Sequence, residues 1–220
     1  MKCVAIIPAG GAGRRMGGGV PKQYLPLAGL PLLVHTLRVF WRSPLVSRIL
    51  LAVPEADILQ VRARIVEPFG LADRVRVLAG GDQRQDSVRN ALSHIRNDDE
   101  IVLVHDGVRP CLWPALIEQA VAAAAADGAA VVGVPVTDTL KETTQEGWVA
   151  RTVPREGLWS AQTPQAFRRE ILAAAHERAA ADGFYGTDEA ALAERIGFPV
   201  RMIPGGEENI KVTTRADLLY

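Results

Sequence analysis

The chain has 220 residues, 48% of them hydrophobic, and 25 Lys+Arg against 25 Asp+Glu, so its formal net charge is zero. That length and apolar content suit one packed domain, and the charge balance disfavours a general nucleic-acid or anionic-membrane binder, which would be basic. No apolar run approaches a membrane span, the apolar run before Pro8 is too short for a secretory signal, and Cys3 and Cys111 lack metal-ligand spacing, which indicates free thiols and a cytoplasmic setting.

Cys3-Val4-Ala5-Ile6-Ile7 is a short apolar run of the kind found in buried parallel strands. It leads into a loop, Pro8 to Lys22, that carries many glycines, Arg14, Arg15 and a terminal lysine. Leu30 to Trp41 is apolar at helical spacing and stops at Ser43-Pro44. Arg48 to Pro54 predicts a second strand, and Asp57 a capped helix running to about Glu67. Arg74 to Leu78 predicts a third strand, Arg84 to Ile95 a helix, and Ile101 to Val104 a fourth strand. Trp113-Pro114 opens an alanine-rich helix that Gly128 stops, followed by a fifth strand over Ala129–Val136. Thr137 to Trp159 lacks a helical stripe and predicts a β-hairpin arm. Gln162-Thr163-Pro164-Gln165 then predicts a helix to about Asp182, and Thr187-Asp188-Glu189 another to about Gly197. Pro199 to Ile203 and Ile210-Lys211-Val212 are short strand candidates, and Thr213 starts a last helix. The alternation of strand and helix predicts an α/β fold: a Rossmann-like, doubly wound, mostly parallel sheet with a protruding β-hairpin arm at about 137–159, in a single domain.

Ligands of open α/β sheets bind outside the carboxyl ends of the strands. Four polar clusters follow strand ends here: the glycine loop, Gly80-Gly81-Asp82, His105-Asp106-Gly107-Val108-Arg109, and Thr137-Asp138-Thr139. The glycine loop suits a polyphosphate, because glycine lets backbone N–H groups approach phosphate oxygens while arginine and lysine supply charge. Gly11, Gly13 and Gly17 are spaced one residue too long for a dinucleotide fingerprint, and no Gly-Lys-Ser/Thr marks a Walker A loop. Asp106 is a candidate for ligand or magnesium contact or, equally, a turn residue. His105 reads better as a satisfied structural histidine than as a general base. No nucleophile triad or zinc-protease pattern is present.

Pro8 to Met16 with Pro21-Lys22-Gln23-Tyr24 resembles the signature of the sugar-phosphate nucleotidylyltransferases. Asp86-Ser87-Val88, Val104 to Pro110, Asp138-Thr139, Thr163-Pro164-Gln165, Thr187-Asp188-Glu189 and Asn209 to Thr213 narrow the resemblance to the 2-C-methyl-D-erythritol 4-phosphate cytidylyltransferases, over nearly the whole chain and in order. The ribitol-5-phosphate cytidylyltransferases share most of these motifs. The resemblance implies CTP and a sugar-alcohol phosphate as substrates, magnesium as cofactor and a homodimer joined through the arm, with no nucleic-acid or membrane partner. It implies Arg15 and Lys22 as the catalytic cations. It implies Ala9, Gly10, Gly11, Gly13, Gly81, Asp82, Ser87, Asp106 and Gly107 as the CTP site, with Asp106 on the metal side. Arg109, Thr139, Arg155, Thr187 and Lys211 are implied to bind the acceptor, with Arg155 reaching the partner's site. Gly17-Gly18-Gly19 is glycine-rich for this family, and is expected to act as a hinge.

Overall fold

A computed structural model describes residues 2–11 and 20–219. Its centre is a seven-stranded sheet formed by β1 (Cys3–Pro8), β4 (Val46–Val53), β5 (Val75–Ala79), β6 (Ile101–Val104), β7 (Ala129–Pro135), β10 (Trp159–Arg168) and β11 (Arg201–Pro204). The strand order is β11-β7-β10-β6-β1-β4-β5. All its pairings are parallel except those of β10, which runs antiparallel to both β6 and β7. This is the Rossmann-like, doubly wound, mostly parallel sheet expected from the chain's periodicity.

The near-continuous apolar strands bury both faces, as parallel strands must. On one face, Ala5, Ile7, Ile49, Leu51 and Leu103 pack with Leu33, Leu37 and Phe40 of α1 (Leu32–Arg42) and Leu116, Ile117 and Ala120 of α4 (Pro114–Asp127). On the other, Val4, Ile6, Leu50, Val102 and Val104 pack with Val88 and Ala91 of α3 (Arg84–Leu92), Leu172 of α5 (Arg169–Ala181) and Ala193 of α6 (Glu189–Arg195). Odd and even strand residues thus serve opposite layers. Pro114 opens α4, and Gly128, at φ 91°, ends it.

Several expectations are corrected. The helix expected from Gln162 begins only at Arg169, because Trp159–Arg168 is a strand. Ala166 and Phe167 are fully buried there, and the register shifts between Ala161 and Gln165, where Pro164 cannot donate to the ladder. The first helix starts at Leu32, after a small hairpin of β2 (Pro26–Leu27) and β3 (Leu30–Pro31). Asp57 caps nothing with its side chain: a 3-10 turn, Glu55–Asp57, leads through α2 (Ile58–Val61) into a π turn, Arg62–Val66. Ile210–Val212 forms no strand. Val212 instead donates one backbone bond to the Val108 carbonyl (2.9 Å). The last helix reduces to a 3-10 turn, Ala216–Leu218, held by Asp217, which accepts from the Thr213 and Thr214 backbones.

The expected arm is present as a separate two-stranded sheet, β8 (Leu140–Thr143) paired with β9 (Val149–Val153). All of β8 is exposed, and so are Trp148 and Val149 beside it (75% and 62%). No helix among the described residues is long and apolar enough to cross a membrane.

His176 on α5 is 2% exposed, and neither ring nitrogen has a hydrogen-bond partner among the described residues. Burial, with the nearby Arg89 and Arg84 charges, pushes its pKa down to about 4. The folded value lies below the unfolded one, so the unfolded chain takes up the proton first as pH falls. Stability present above about pH 6.5 is therefore lost progressively toward pH 4. His176→Leu is expected to raise Tm at pH 7 and to flatten this slope, as thermal melts across that range will read. An unaltered slope would remove His176 as its source.

Candidate active site

The loops after β1, β5 and β6 leave the sheet at one rim. Ala9 N–H donates to the Ala52 carbonyl (2.8 Å), Gly80 N–H to Val53 (2.7 Å) and His105 N–H to Ile6 (3.0 Å), so each loop turns only after its strand has finished pairing. Gln23 is buried, and its amide donates to the Ala9 carbonyl (2.8 Å). This fixes the short 3-10 turn Lys22–Tyr24 and brings Lys22 to the rim. Lys22 Nζ donates to the Val212 carbonyl (3.0 Å).

A cavity of about 250 Å³ opens here, lined among others by Ala9, Gly10, Gly11, Lys22, Gly81, Asp82, Ser87, Asp106, Gly107 and Lys211. Ser87 is buried. Its hydroxyl donates to the Gln83 carbonyl (3.1 Å) and accepts from Gly81 N–H (3.0 Å), so it holds the Gly81 turn in shape. A Cβ at Gly81 would lie 2.3 Å from the Asp86 Cβ, so only glycine fits there. Gly13, Arg15 and the proposed hinge Gly17-Gly18-Gly19 lie outside the described residues.

Asp106 sits at the end of this cavity, 6% exposed, and gathers three cations. Arg84 Nε donates to its Oδ1 (3.1 Å), while Lys211 Nζ (3.0 Å) and Arg109 Nε (3.4 Å) meet its Oδ2. Burial alone would push the Asp106 carboxyl up, but the Arg84, Lys211 and Arg109 charges outweigh it and hold the group well below the usual carboxylate range. Lys211 reaches this point because its segment is tied down on both sides. Val212 bonds Val108, the Asn209 carbonyl accepts from Arg109 Nη1 (2.5 Å), and the buried Asn209 amide donates to Gln162 Oε1 (3.1 Å) and the Thr163 carbonyl (2.8 Å).

His105 is fully buried and committed to structure. Its Nε2 donates to the Arg109 carbonyl (3.2 Å), so Nδ1 accepts from the Thr163 hydroxyl (2.9 Å), whose oxygen in turn accepts from Asp106 N–H (3.1 Å). Burial pushes its pKa down to about 4, so it is neutral near pH 7 and positions the Asp106 backbone.

A second cavity of about 210 Å³ lies against the first. Arg109, Thr163, Gln165, Thr187 and Asp188 line it, and Arg84, Asp106 and Lys211 line both cavities. Two of the expected acceptor residues, Thr139 and the partner-directed Arg155, lie outside both cavities of their own chain. Thr139 is exposed at the root of the arm, and Arg155 is exposed with its guanidinium on the Thr137 carbonyl of its own chain.

Sequence reading missed Arg84 and Glu189. Arg84 spans from Asp106 to Glu189, where its Nη1 lies 2.9 and 2.7 Å from the two carboxylate oxygens. One signal was available: an arginine at the first position of a helix opposes the macrodipole and calls for an anionic partner. Among the described residues no group of three or more His, Cys, Asp or Glu side chains could hold a metal unaided. Asp82 and Asp106 both line the first cavity, and a divalent ion held mainly by substrate phosphates needs no more than one or two such carboxylates.

A glycine-rich strand end facing a cation-rimmed pair of cavities is the arrangement of a nucleotidyltransferase. Residues 3–220 match the family model for IspD, 2-C-methyl-D-erythritol 4-phosphate cytidylyltransferase. The enzyme of that name from Syntrophus aciditrophicus is 48% identical over 99% of this chain and 93% of its own length. Among solved structures, 2-C-methyl-D-erythritol 4-phosphate cytidylyltransferase from Thermus thermophilus superposes with a TM-score of 0.83 at 33% identity, covering 100% of this chain and 96% of that one. The 4-diphosphocytidyl-2C-methyl-D-erythritol synthase from Anaerococcus prevotii gives a TM-score of 0.86 at 28% identity, covering 99% and 93%. The chain belongs to the 2-C-methyl-D-erythritol 4-phosphate cytidylyltransferase family.

Proposed function

We propose that this enzyme transfers the cytidylyl group of CTP to 2-C-methyl-D-erythritol 4-phosphate, a step of non-mevalonate isoprenoid biosynthesis. The carrying observation is the pair of adjoining cavities that share Arg84, Asp106 and Lys211. The reaction must bring two anions together, and a shared cationic partition is what that requires. An oxygen of the acceptor phosphate attacks the α-phosphorus of CTP, the bond to the β-phosphate oxygen breaks, and pyrophosphate leaves with the negative charge. The attacking phosphate is already ionised, so no general base is needed, in accord with a neutral, committed His105. Catalysis is then positioning and charge stabilisation.

In this reading Ala9, Gly10, Gly11 and Gly13 receive the triphosphate with Arg15 and Lys22. Gly81, Asp82 and Ser87 surround the base, and Asp106 and Gly107 adjoin the ribose. Arg109, Thr187 and Lys211 hold the acceptor phosphate. Magnesium, held mainly by the CTP phosphates beside Asp106, would offset triphosphate charge. The unpaired Cys3 and Cys111 suit a reducing, cytoplasmic setting. Pyrophosphate release from CTP with magnesium tests the activity. A higher kcat/KM on 2-C-methyl-D-erythritol 4-phosphate than on ribitol 5-phosphate is expected, and the reverse order would reassign the acceptor.

The proposal extends to a homodimer, a single catalytic domain per chain joined through the exposed arm. Arg155 and Thr139 would complete the partner's acceptor cavity. Arg155→Ala is expected chiefly to raise KM for the acceptor. A mixed dimer with Arg155→Ala in one chain and Lys22→Ala in the other keeps one site in which both residues are wild type. It should retain about half the activity, and an inactive mixed dimer would refute a shared site.

A further inference from the structure

Glu189 lines neither cavity, yet it is 1% exposed and its whole carboxylate is engaged by a residue that lines both. We infer that Glu189 is a positioning residue: it pins the Arg84 guanidinium on the partition between the cavities, so that Lys211 and Arg109 keep the far oxygen of Asp106. The inference rests on the activity proposed above.

The geometry carries it. A guanidinium is a rigid plane, so fixing two of its nitrogens fixes its orientation. Glu189 takes Nη1 and Asp106 Oδ1 takes Nε, while Asp106 Oδ2 remains with Lys211 and Arg109. Glu189 is itself fixed, as the first residue of α6. Its N–H and that of Ala190 both donate to Gln165 Oε1 (3.1 and 3.2 Å), and Gln165 Nε2 donates to Asp188 Oδ2 (2.7 Å). Asp188 Oδ1 caps the helix at Ala191 N–H (2.9 Å). The start of α6 is thereby bolted to β10, and the bolt ends on Arg84. Burial pushes the Glu189 carboxyl above its ordinary value, and the Arg84 charge opposes that shift. Without the Glu189 charge, Arg84 is released to take both Asp106 oxygens or a bound phosphate. The first move displaces Lys211 from Oδ2, and the second leaves Oδ1 without its partner.

The test is a double-mutant cycle in the full-length enzyme, assayed by pyrophosphate release. Glu189→Gln is expected to lower kcat by roughly 10–100-fold, the scale of a small misplacement near the reacting atoms, with KM for CTP changed by less than about threefold. A residue serving only the fold would lower thermal stability and leave the kcat of the folded fraction unchanged. Because Glu189 acts through Arg84, the pair Arg84→Gln/Glu189→Gln should be no slower than Arg84→Gln alone. A wild-type kcat in Glu189→Gln, or losses that multiply in the pair, overturns the inference. If Glu189→Gln does not fold, the double variant leaves neither buried charge unpaired, and its comparison with Arg84→Gln decides. If the wild-type enzyme turns over neither acceptor, the proposed activity fails. The same non-additivity is then required of inorganic pyrophosphate affinities measured by calorimetry, and additive losses there overturn the role of Glu189.

Discussion

Lys22→Ala lowers kcat by roughly 10²–10³-fold, the cost of removing one preorganised donor from a site of developing charge, while the protein keeps its fold. Lys22 is half-buried on a turn that Gln23, not Lys22, anchors. Its ammonium group reaches the wall of the glycine-loop cavity, with Nζ on the Val212 carbonyl (3.0 Å). Turnover concentrates charge on the α-phosphate and the departing pyrophosphate, and a lysine supplies a compact charge at the rim where both form. The loss therefore falls on kcat more than on KM for CTP. Steady-state kinetics beside a thermal melt make the separation. An unchanged kcat takes Lys22 out of the reaction, and a collapsed melt would make its role structural.

Asp106→Ala is expected to lose both stability and activity. The carboxylate is buried among Arg84, Arg109 and Lys211, so its removal leaves three cations facing one another with only Glu189 to compensate. Removing one partner of a buried charge network costs about 3–5 kcal/mol, which at about 2–4 °C per kcal/mol for a chain of this size lowers Tm by roughly 10 °C. The vacated place is itself an anion site. Added sulfate should recover part of the lost Tm in the variant while changing the parent little. The wild-type carboxylate should hold its charge through the acid range, because its folded pKa lies below the unfolded one. Its contribution is present above about pH 4 and is lost only as pH falls toward the depressed value. A variant as stable as the parent would show that the cations do not depend on Asp106.

Four of the six parallel strands, β1, β5, β6 and β7, were legible as short apolar stretches that end in a polar cluster. β10 was not. Its middle, Gln162-Thr163-Pro164-Gln165, has the residues of a helix start. What makes it a strand is the slot between β6 and β7, whose residues lie far away in sequence. The grouping of Gly10, Lys22 and Asp106 on one cavity followed from the glycine loop and the strand-end motifs, whereas Lys211 was expected at the site only from the family resemblance. The Arg84–Glu189 pair followed from neither, since its partners are 105 residues apart and only the folded sheet brings them together. Ser87 lines the first cavity and also braces the Gly81 turn, a contact that composition cannot reveal.

The antiparallel strand has a consequence for biosynthesis. Until residues 159–168 are made, β6 and β7 have no common neighbour, and Val102 and Val104 border an unfilled edge. An unpaired apolar edge is a template for association between chains. A nascent or truncated chain ending near Pro135 would hold the nucleotide-side loops without the neighbour that seals them. The arrival of β10 would then close the gap between β6 and β7 and, through Gln165, provide the anchor on which the start of α6 later docks.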